Sequence, residues 1–374
     1  MPCYQSAHIQ SRAKFENFVT EHLTPISQEF DSKQSIPHTF FSLLAREGYL
    51  GSNIPKKFGG QEMDYITLGL LHEEFGKGLC SIENALTVYG MVSKPLIKFG
   101  SQHQQQTWLP KIAAGETIVA LALTEPNIGS DLKNVEANVI TEGEYYILNG
   151  KKKYITLGQI ADLFLVLAKC CDKNMVLLVE KNTPGLQILP INNILGLRSN
   201  MLAEIIFYNC KIPKANLLGQ IGNGLTHVIA CALDEGRYTT AWGCVGLGQA
   251  CLNAARNYSD SRVQTENFLK HHQLIQKILT EIIVNVKAAR EICFNTGNLR
   301  NERDISYISE TLVAKYFSSK MAVFVANHAL QIFGASGFTK EHAVERFYRD
   351  AKIMEVIEGT SQIYEINIPK VCLN

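Results

Sequence analysis

The hydrophobic period of the chain changes twice, and this change constrains the fold more than any other feature of the sequence. Up to about residue 115, apolar residues recur at the spacing of amphipathic helices, as in residues 15–23 and 40–44. Short runs rich in β-branched and aromatic residues follow, and helical spacing returns from residue 225. The order predicts an α+β protein with an N-terminal helical domain (residues 1–118), a middle β domain (119–222) and a C-terminal helical bundle (223–374).

The middle region contains five runs that we interpret as strands: residues 117–123, 145–148, 163–168, 175–179 and 204–208. Asn149-Gly150 predicts a hairpin turn between residues 146–148 and 154–156, because both residues tolerate positive φ. Beyond the glycines at 219–224, periodic segments at 225–258, 270–298 and 304–333 predict long antiparallel helices. Two shorter helices are predicted at 344–353 and 360–366.

Composition and charge exclude several classes of function. The 374 residues carry a formal net charge of +1, so no nucleic-acid partner is indicated. Apolar runs are interrupted by charge well before the ~20 residues of a membrane span, and the N-terminus lacks the apolar core of an export signal. Ten cysteines without a C-x-x-C pair are typical of reduced thiols, so we expect a cytoplasmic protein with no membrane span.

Three common kinds of site lack their sequence signals. There is no H-E-x-x-H and no cluster of cysteine and histidine at ligand spacing, so no metal site is predicted. The G-x-S-x-G motif of a serine nucleophile is absent. Gly222-Asn223-Gly224 and Gly246-Leu247-Gly248 lack the third glycine of a dinucleotide fingerprint, and neither follows a strand in a βαβ unit.

Two stretches carry candidate chemistry. In ALTEPNIGSDLKN (residues 122–134), Thr124, Gly129 and Ser130 share one irregular loop that could hydrogen-bond the edge of a heterocycle, although a polar surface turn has the same composition. In residues 331–363, glycines break a long helix where a phosphate could lie against free backbone N–H groups. A simple corner between two helices would use glycines in the same way.

These stretches resemble the two signature regions of the acyl-CoA dehydrogenase family. The first matches L-T-E-P-x-x-G-S-D, and the second matches Q-x-x-G-x-x-G, R-D-A-K and E-G-T-x-Q in order. NGKKKYIT (residues 149–156) and LDEGR (residues 233–237) also match, so the resemblance covers nearly the whole chain. It implies the acyl-CoA dehydrogenase fold, whose C-terminal domain is a four-helix bundle. It also implies FAD bound between the middle domain, the C-terminal domain and a neighbouring subunit.

The resemblance also implies the site residues, position by position. FAD would be held by Leu121, Leu123, Thr124, Gly129, Ser130, Tyr154, Ile155 and Thr156 on one side and by Thr360 and Gln362 on the other. Arg262, Gln331 and Gly334 match positions that contact the FAD of the adjacent subunit. Ser130, Asp234, Arg237 and Gly359 match positions on the thioester side. Thr265-Glu266-Asn267 replaces the usual Phe-Gly, so its effect on the contact between subunits stays open.

Glu358 is the implied catalytic base. In this family the glutamate of E-G-T removes the α-proton of an acyl thioester while the β-hydrogen leaves as a hydride to the flavin. Such a C–H is a weak acid, so the base needs a raised pKa, which burial beside Val356 and Ile357 would provide. The alternative is a glutamate that caps the last helix, where a negative charge complements the helix dipole.

A second resemblance concerns the substrate carrier. Residues 86–92, 197–204 and 241–246 are similar to dehydrogenases of polyketide and nonribosomal-peptide clusters, including the branch associated with hydroxymalonyl- and methoxymalonyl-type extender units. Their substrates ride on an acyl carrier protein, and basic groups at the pocket mouth would attract this acidic partner. The candidates are Lys56, Lys57, Lys151, Lys152, Lys153 and Lys211, which an ordinary solvated face would also explain.

Other assignments remain open from the sequence. The first alternative is a short-chain dehydrogenase acting on acyl-CoA, and a more remote one is a flavin-free relative used for binding. The electron acceptor would be an electron-transfer flavoprotein or oxygen. We expect a homotetramer or a homodimer, with the helices at 225–258 and 304–333 supplying the interface.

Overall fold

The computed structural model describes residues 4–373 and begins with a helical region. Its α-helices are α1 (Ser6–Phe18), α2 (Ser27–Lys33), α3 (His38–Arg46), α4 (Tyr65–Gly78), α5 (Cys80–Phe99) and α6 (Gln102–Ala113). Helix α5 is buried along most of its length, because it packs against the C-terminal region as well as against α4 and α6. The N-terminal region therefore shares a core with the rest of the chain.

The middle region is one mixed sheet. Its strands are β1 (Val119–Ala122), β2 (Asn138–Glu142), β3 (Tyr145–Ile155), β4 (Leu163–Cys170), β5 (Lys173–Glu180), β6 (Leu186–Pro190), β7 (Ala203–Pro213) and β8 (Leu217–Leu218). The order is β6-β7-β3-β2-β4-β5-β8, and β1 pairs in parallel with β4. Strand β4 begins with six fully buried residues, which explains its continuous apolar run.

The C-terminal region is helical apart from a two-stranded ribbon. It contains α7 (Ala230–Ser261), β9 (Val263–Gln264), β10 (Asn267–Phe268), α8 (Gln273–Glu302), α9 (Tyr307–Phe333), α10 (Val344–Val356) and α11 (Ser361–Cys372). Helix α7 lies at the centre, against α4, α5, α8, α9 and α10. The order of helical, β and helical regions agrees with the periodicity of the sequence.

The predicted hairpin at Asn149-Gly150 is wrong. Strand β3 runs through both residues, and its register against β7 shifts between Leu148 and Gly150. A Cβ on Gly150 would lie 2.7 Å from the Cα of Ala137, so the glycine admits a neighbouring backbone at an irregularity in the strand. The turn that joins β2 to β3 instead contains Gly143, with φ +53°.

Helix α7 does not supply a free interface, contrary to expectation. Most of its apolar residues, Trp242 and Val245 among them, are fully buried inside the protomer. Exposed apolar side chains lie on α8, for example Leu274 and Val284, and on α9, the other helix of the expected interface, at Ile308 and Phe324. By length and composition, Tyr307–Phe338 could cross a membrane, but α9 packs against α7, α8 and α10, so we interpret it as a bundle helix.

Candidate active site

Glu358 lies in the short turn between α10 and α11. Its backbone is left-handed, with φ +58°, which is uncommon for a residue with a side chain. The carbonyl oxygen of Glu358 accepts a hydrogen bond from the Tyr364 hydroxyl at 2.7 Å and a longer one from Arg237 Nε at 3.4 Å. Donors from α11 and α7 therefore stabilise the turn in this conformation.

The Glu358 carboxylate points towards α7 and α5. A Cβ on Gly236 would lie 2.9 Å from Glu358 Oε2 and 2.6 Å from Met91 Sδ. Because Gly236 has no side chain, the carboxylate and the Met91 thioether both fit against the helix. Oε2 is buried and has no hydrogen-bond partner among residues 4–373.

Burial raises the pKa of Glu358 to about 7. The positive charges of Arg237 and Lys315 oppose this rise, while the negative charge of Glu83 adds to it. The raised pKa agrees with the expectation from the sequence, and of the two expected neighbours Ile357 is partly buried against the core, whereas Val356 is not. Val356 is 48% exposed, and the groups beside the carboxylate are Gly236 and Met91.

The loop after β1 is anchored by a buried ion pair. Glu125 accepts hydrogen bonds from Lys152 Nζ at 2.7 Å, from the Ala137 backbone N–H at 2.9 Å and from the Glu136 backbone N–H. Lys152 Nζ also donates to the carbonyl oxygen of Leu123 at 3.0 Å. Leu123 is buried, Leu121 and Thr124 are half-buried, and Gly129 and Ser130 are exposed at the far end of the loop.

The end of β3 contributes a polar chain beside this loop. Thr156 Oγ1 donates to Asn84 Oδ1 at 3.4 Å, and Asn200 Nδ2 donates to the same oxygen at 2.8 Å. Asn200 Oδ1 is buried without a partner among the described residues. Tyr154 is 56% exposed with φ +60°, whereas Ile155 between Tyr154 and Thr156 is buried.

A third group of candidate residues lies at one end of the bundle. Arg262 follows the last residue of α7, and Gln331 and Gly334 lie at the end of α9; all three are exposed. A cavity of 310 Å³ lies beside them, lined in part by Tyr258 and Phe333. The stacking of the two rings, with centroids 4.1 Å apart, holds these helix ends together.

Thr265 and Glu266 form the turn of the ribbon next to Arg262. Both have positive φ, 48° and 66°, and Val263–Gln264 pairs with Asn267–Phe268 across them. This backbone is that of a two-residue hairpin, which usually contains asparagine or glycine. The replacement of Phe-Gly therefore keeps a turn but places side chains at two left-handed positions.

The residues assigned to the thioester side separate into two groups. Arg237 and Gly359 lie at the Glu358 turn, and Gly359 has φ +109°. Asp234 is instead in a two-pronged ion pair with Arg300, at 3.1 and 2.8 Å. Asp234 and Gly236 are about 200° apart around the helix, so Asp234 lies on a different side of α7 from the residue that contacts the carboxylate. Ser130 and Gln362 are exposed, and Thr360 is the N-cap residue of α11.

Comparisons with known proteins agree with this arrangement. Family models described as the N-terminal, middle and C-terminal domains of acyl-CoA dehydrogenase match residues 5–116, 120–210 and 222–373. The chain belongs to the acyl-CoA dehydrogenase family. The family is FAD-dependent, and its members are oxidoreductases that act on CH–CH donors. The α+β fold class predicted from the sequence is confirmed.

Similar acyl-CoA dehydrogenases span nearly the whole chain. A probable acyl-CoA dehydrogenase of Bacillus subtilis (strain 168), YngJ, is 34% identical over 97% of both chains. The short-chain specific enzyme of Homo sapiens mitochondria is 32% identical over 94% of this chain and 86% of its own length. Each alignment extends over at least 86% of both chains.

Solved structures show the same fold. Butyryl-CoA dehydrogenase from Megasphaera elsdenii has a TM-score of 0.95 at 27% identity and covers 99% of both chains. The prolyl acyl carrier protein oxidase AnaB has a TM-score of 0.94 at 27% identity, covering 99% of this chain and 100% of its own. FkbI, described as acting in the biosynthesis of a methoxymalonyl extender unit, has a TM-score of 0.88 at 26% identity and covers 97% and 99%.

The residues present fit FAD. The loop after β1, the exposed ring of Tyr154 and the hydrogen-bonded chain from Thr156 to Asn200 combine an aromatic ring with polar groups. The unpartnered Asn200 Oδ1 belongs to that chain, and a Cβ on Gly129 would meet nothing within 4 Å. Such a combination suits a planar heterocycle with donors and acceptors on its edge. Residues 4–373 contain no group of three potential metal ligands.

Sequence reasoning did not identify Met91, Tyr364 or Lys315. They come from α5, α11 and α9 and meet only in the folded chain. Lys315 alone had a local signal, since it is a charged residue within the otherwise apolar run of residues 312–317. Such a lysine in the buried face of a helix requires partners, which the structure identifies as backbone carbonyl groups.

Proposed function

We propose that this chain oxidises an acyl thioester at its α and β carbons, with Glu358 as the base. The proposal rests on one observation: Glu358 Oε2 is buried against Gly236 and Met91 and has no hydrogen-bond partner among the described residues. Its pKa of about 7 leaves a substantial ionised fraction at neutral pH and gives a stronger base than a solvated carboxylate.

In the proposed reaction, Glu358 takes the α-proton, and the electron pair of that C–H bond forms the new double bond as the β C–H bond breaks. FAD held at this site would supply the acceptor for the β-hydrogen, which would leave with its electron pair as a hydride. Arg237 places a positive charge beside the ionised carboxylate, which favours the form that accepts the proton. Gly236 lets the carboxylate and the Met91 thioether lie against α7, since it has no side chain.

We further propose that the acyl group is carried by an acyl carrier protein. The similarity of residues 86–92, 197–204 and 241–246 to the carrier-dependent branch supports this, as does the likeness to AnaB and FkbI. Lys56, Lys57 and Lys211 are exposed and available to an acidic partner. Lys152 is not, because it is buried in the ion pair with Glu125, which corrects its inclusion in the basic set.

The competing candidate is a short-chain dehydrogenase that acts on acyl-CoA. The curated relatives favour it, since the human one is named as short-chain specific. The same base and cofactor serve both candidates. We also propose a cytoplasmic homotetramer or homodimer, in which Arg262, Gln331 and Gly334 contact the adjacent subunit's FAD. Its electrons would pass to an electron-transfer flavoprotein or to oxygen.

The test is anaerobic bleaching of the flavin absorption by a butyryl group loaded either on CoA or on a phosphopantetheinylated carrier protein. We expect faster bleaching by the carrier thioester, and salt should slow that reaction more because steering by charge is screened. A matched variant, Lys56→Glu with Lys57→Glu, should slow only the carrier reaction. Faster bleaching by butyryl-CoA, without salt dependence, would show that the acyl group is carried by CoA and not by a carrier protein. Bleaching by neither thioester, on this or longer acyl chains, would overturn thioester oxidation itself.

A further inference from the structure

Lys315 lies in the middle of α9 and is fully buried. A buried ammonium group is costly unless hydrogen-bonded. Its Nζ donates to the carbonyl oxygen of Glu355 at 3.2 Å and to that of Gly359 at 3.1 Å. The two acceptors lie on either side of Glu358 in the sequence. One side chain from another helix therefore binds both ends of the turn that carries the proposed base.

This turn needs such a restraint for two reasons. Glu355 is in the last turn of α10, where carbonyl groups lack partners within the helix, and a positive charge there is favourable. Glu358 has a left-handed backbone, which is unfavourable for an L-residue and persists only where surrounding contacts impose it. Lys315 supplies contacts on both sides of that residue.

We propose that Lys315 is a positioning residue for Glu358: its ammonium group fixes residues 355–359 and so determines where the carboxylate points. This rests on the proposed role of Glu358 as the base. Lys315 acts through the backbone of the turn, in addition to the Tyr364 hydroxyl that donates to the Glu358 carbonyl. Because a reacting group displaced by about 1 Å costs about 10²-fold in rate, the restraint matters for the reaction.

Charge provides a second effect of the same side chain. Lys315 lowers the pKa of Glu358 together with Arg237, whereas burial and Glu83 raise it. Burial also lowers the pKa of Lys315 to about 8; Cys244, Glu358 and Glu355 oppose that shift, and Arg237 adds to it. Lys315 is therefore an ammonium group at neutral pH. Its removal should raise the pKa of Glu358, which a purely structural lysine would not do.

The experiment uses three variants of the full chain with FAD bound. Lys315→Met keeps the length of the side chain but removes its charge and its donors, whereas Lys315→Gln keeps an amide donor without the charge. Lys320→Met is the matched control, because Lys320 is in the same helix but is 49% exposed and bonded to the Tyr316 hydroxyl. Each variant is prepared with the glutamate side-chain carboxyl carbon labelled with ¹³C, and the signal absent from Glu358→Gln identifies Glu358.

We expect the wild-type signal to titrate near pH 7 and to move upward by about one pH unit in both Lys315 variants. Lys320→Met should leave it unchanged. Flavin reduction at saturating butyryl thioester should fall about 10²-fold in Lys315→Met and less in Lys315→Gln.

The outcomes separate this inference from the proposed function. A wild-type Glu358 signal that titrates near pH 4.5 would show that the pKa of Glu358 is not raised, which contradicts its proposed role as the base. The Lys315 contacts would then have no catalytic role. A wild-type midpoint near 7 that does not move in the Lys315 variants would overturn the inference alone. If both Lys315 variants fail to fold or to retain FAD while Lys320→Met retains it, Lys315 is a structural residue, and the inference is also overturned.

Discussion

The side-chain carboxyl groups of Glu358 and Glu125 are both buried near the predicted flavin site, and they differ in their partners. Glu125 has three donors, one from the Lys152 ammonium group and two from backbone N–H groups of residues 136 and 137. Glu358 has Arg237 and Lys315 nearby, but these donate to backbone carbonyl groups, and its Oε2 has no donor. One carboxylate is fully bonded, whereas the other retains a free oxygen.

The difference shows how one residue type serves two purposes in one protein. A carboxylate that accepts several hydrogen bonds fixes the groups that donate them, so Glu125 functions as an anchor for the loop after β1. A carboxylate that is desolvated without compensating donors holds a proton more tightly, as the pKa of about 7 for Glu358 shows. Burial alone does not distinguish the two, and the count of donors does.

The largest expected effect comes from Glu358→Gln, which keeps the shape of the side chain but cannot accept a proton. Flavin reduction by the thioester should fall by at least the ~10²–10⁴-fold that a general base contributes. FAD content and the flavin spectrum should be unchanged, because the carboxylate has no partner whose loss would disturb the turn. Anaerobic stopped-flow absorbance of the flavin measures the rate.

Glu365→Gln is the control for this variant. Glu365 is in the following helix and exposed, with its carboxylate bonded to the Tyr316 hydroxyl at 3.0 Å. It should reduce its flavin at the wild-type rate. Reduction of Glu358→Gln at the wild-type rate would mean that another group removes the α-proton, and the contrast between the two buried glutamates would have no catalytic meaning.

The second effect is on stability and comes from Glu125→Gln. The change leaves Lys152 charged and buried without its partner, and losing one member of a buried pair costs about 3–5 kcal/mol. The pKa of Lys152 is lowered by burial to about 8 even with Glu125 present. In the variant, Lys152 should therefore release its proton at alkaline pH, which reduces the loss of stability there. Urea unfolding without added FAD measures the loss.

Lys181→Gln serves as the surface control and should change the free energy of unfolding by less than about 0.5 kcal/mol. Lys181 is exposed and directly follows β5. An unfolding free energy of Glu125→Gln within that range would show that the Glu125–Lys152 pair does not anchor the loop.

The sequence predicts the fold where one side of an element is consistently buried. Long helices such as α7 and α9 show a repeated period, and β4 is an apolar run because it is buried on both faces. Strands β2 and β6 were missed, since most of their residues are exposed and no alternation results. The hairpin at Asn149-Gly150 failed because Gly150 serves close packing against Ala137, for which the dipeptide gives no distinct signal.

For the site, contiguous motifs were informative and contacts between distant elements were not. E-G-T identified Glu358, and burial of its carboxylate was expected from chemistry alone. The groups that determine its environment, Met91, Lys315 and Gly236, lie on separate helices, and no spacing in the sequence indicates which atoms meet. Lys152 was placed among surface lysines, because it lies in a run of three lysines and the sequence does not show that the middle one is buried.

The smallest expected effect is also the most direct comparison, because Glu→Gln should change stability in opposite directions at the two sites. The folded-state pKa of Glu358 is about 7 against 4.5 for an ordinary glutamate, so its contribution to stability is fully present below about pH 4.5 and is lost as pH rises through 7. At pH 8 the wild type holds an ionised carboxylate in a site that favours the neutral form. Glu358→Gln should therefore be more stable than wild type at pH 8, by about 1–3 kcal/mol, and close to wild type at pH 5. Glu125→Gln should be less stable at both values. Thermal unfolding of the three proteins at pH 5 and pH 8 decides the matter, and a Glu358→Gln variant that is less stable than wild type at pH 8 would show that its carboxylate is bonded as fully as that of Glu125.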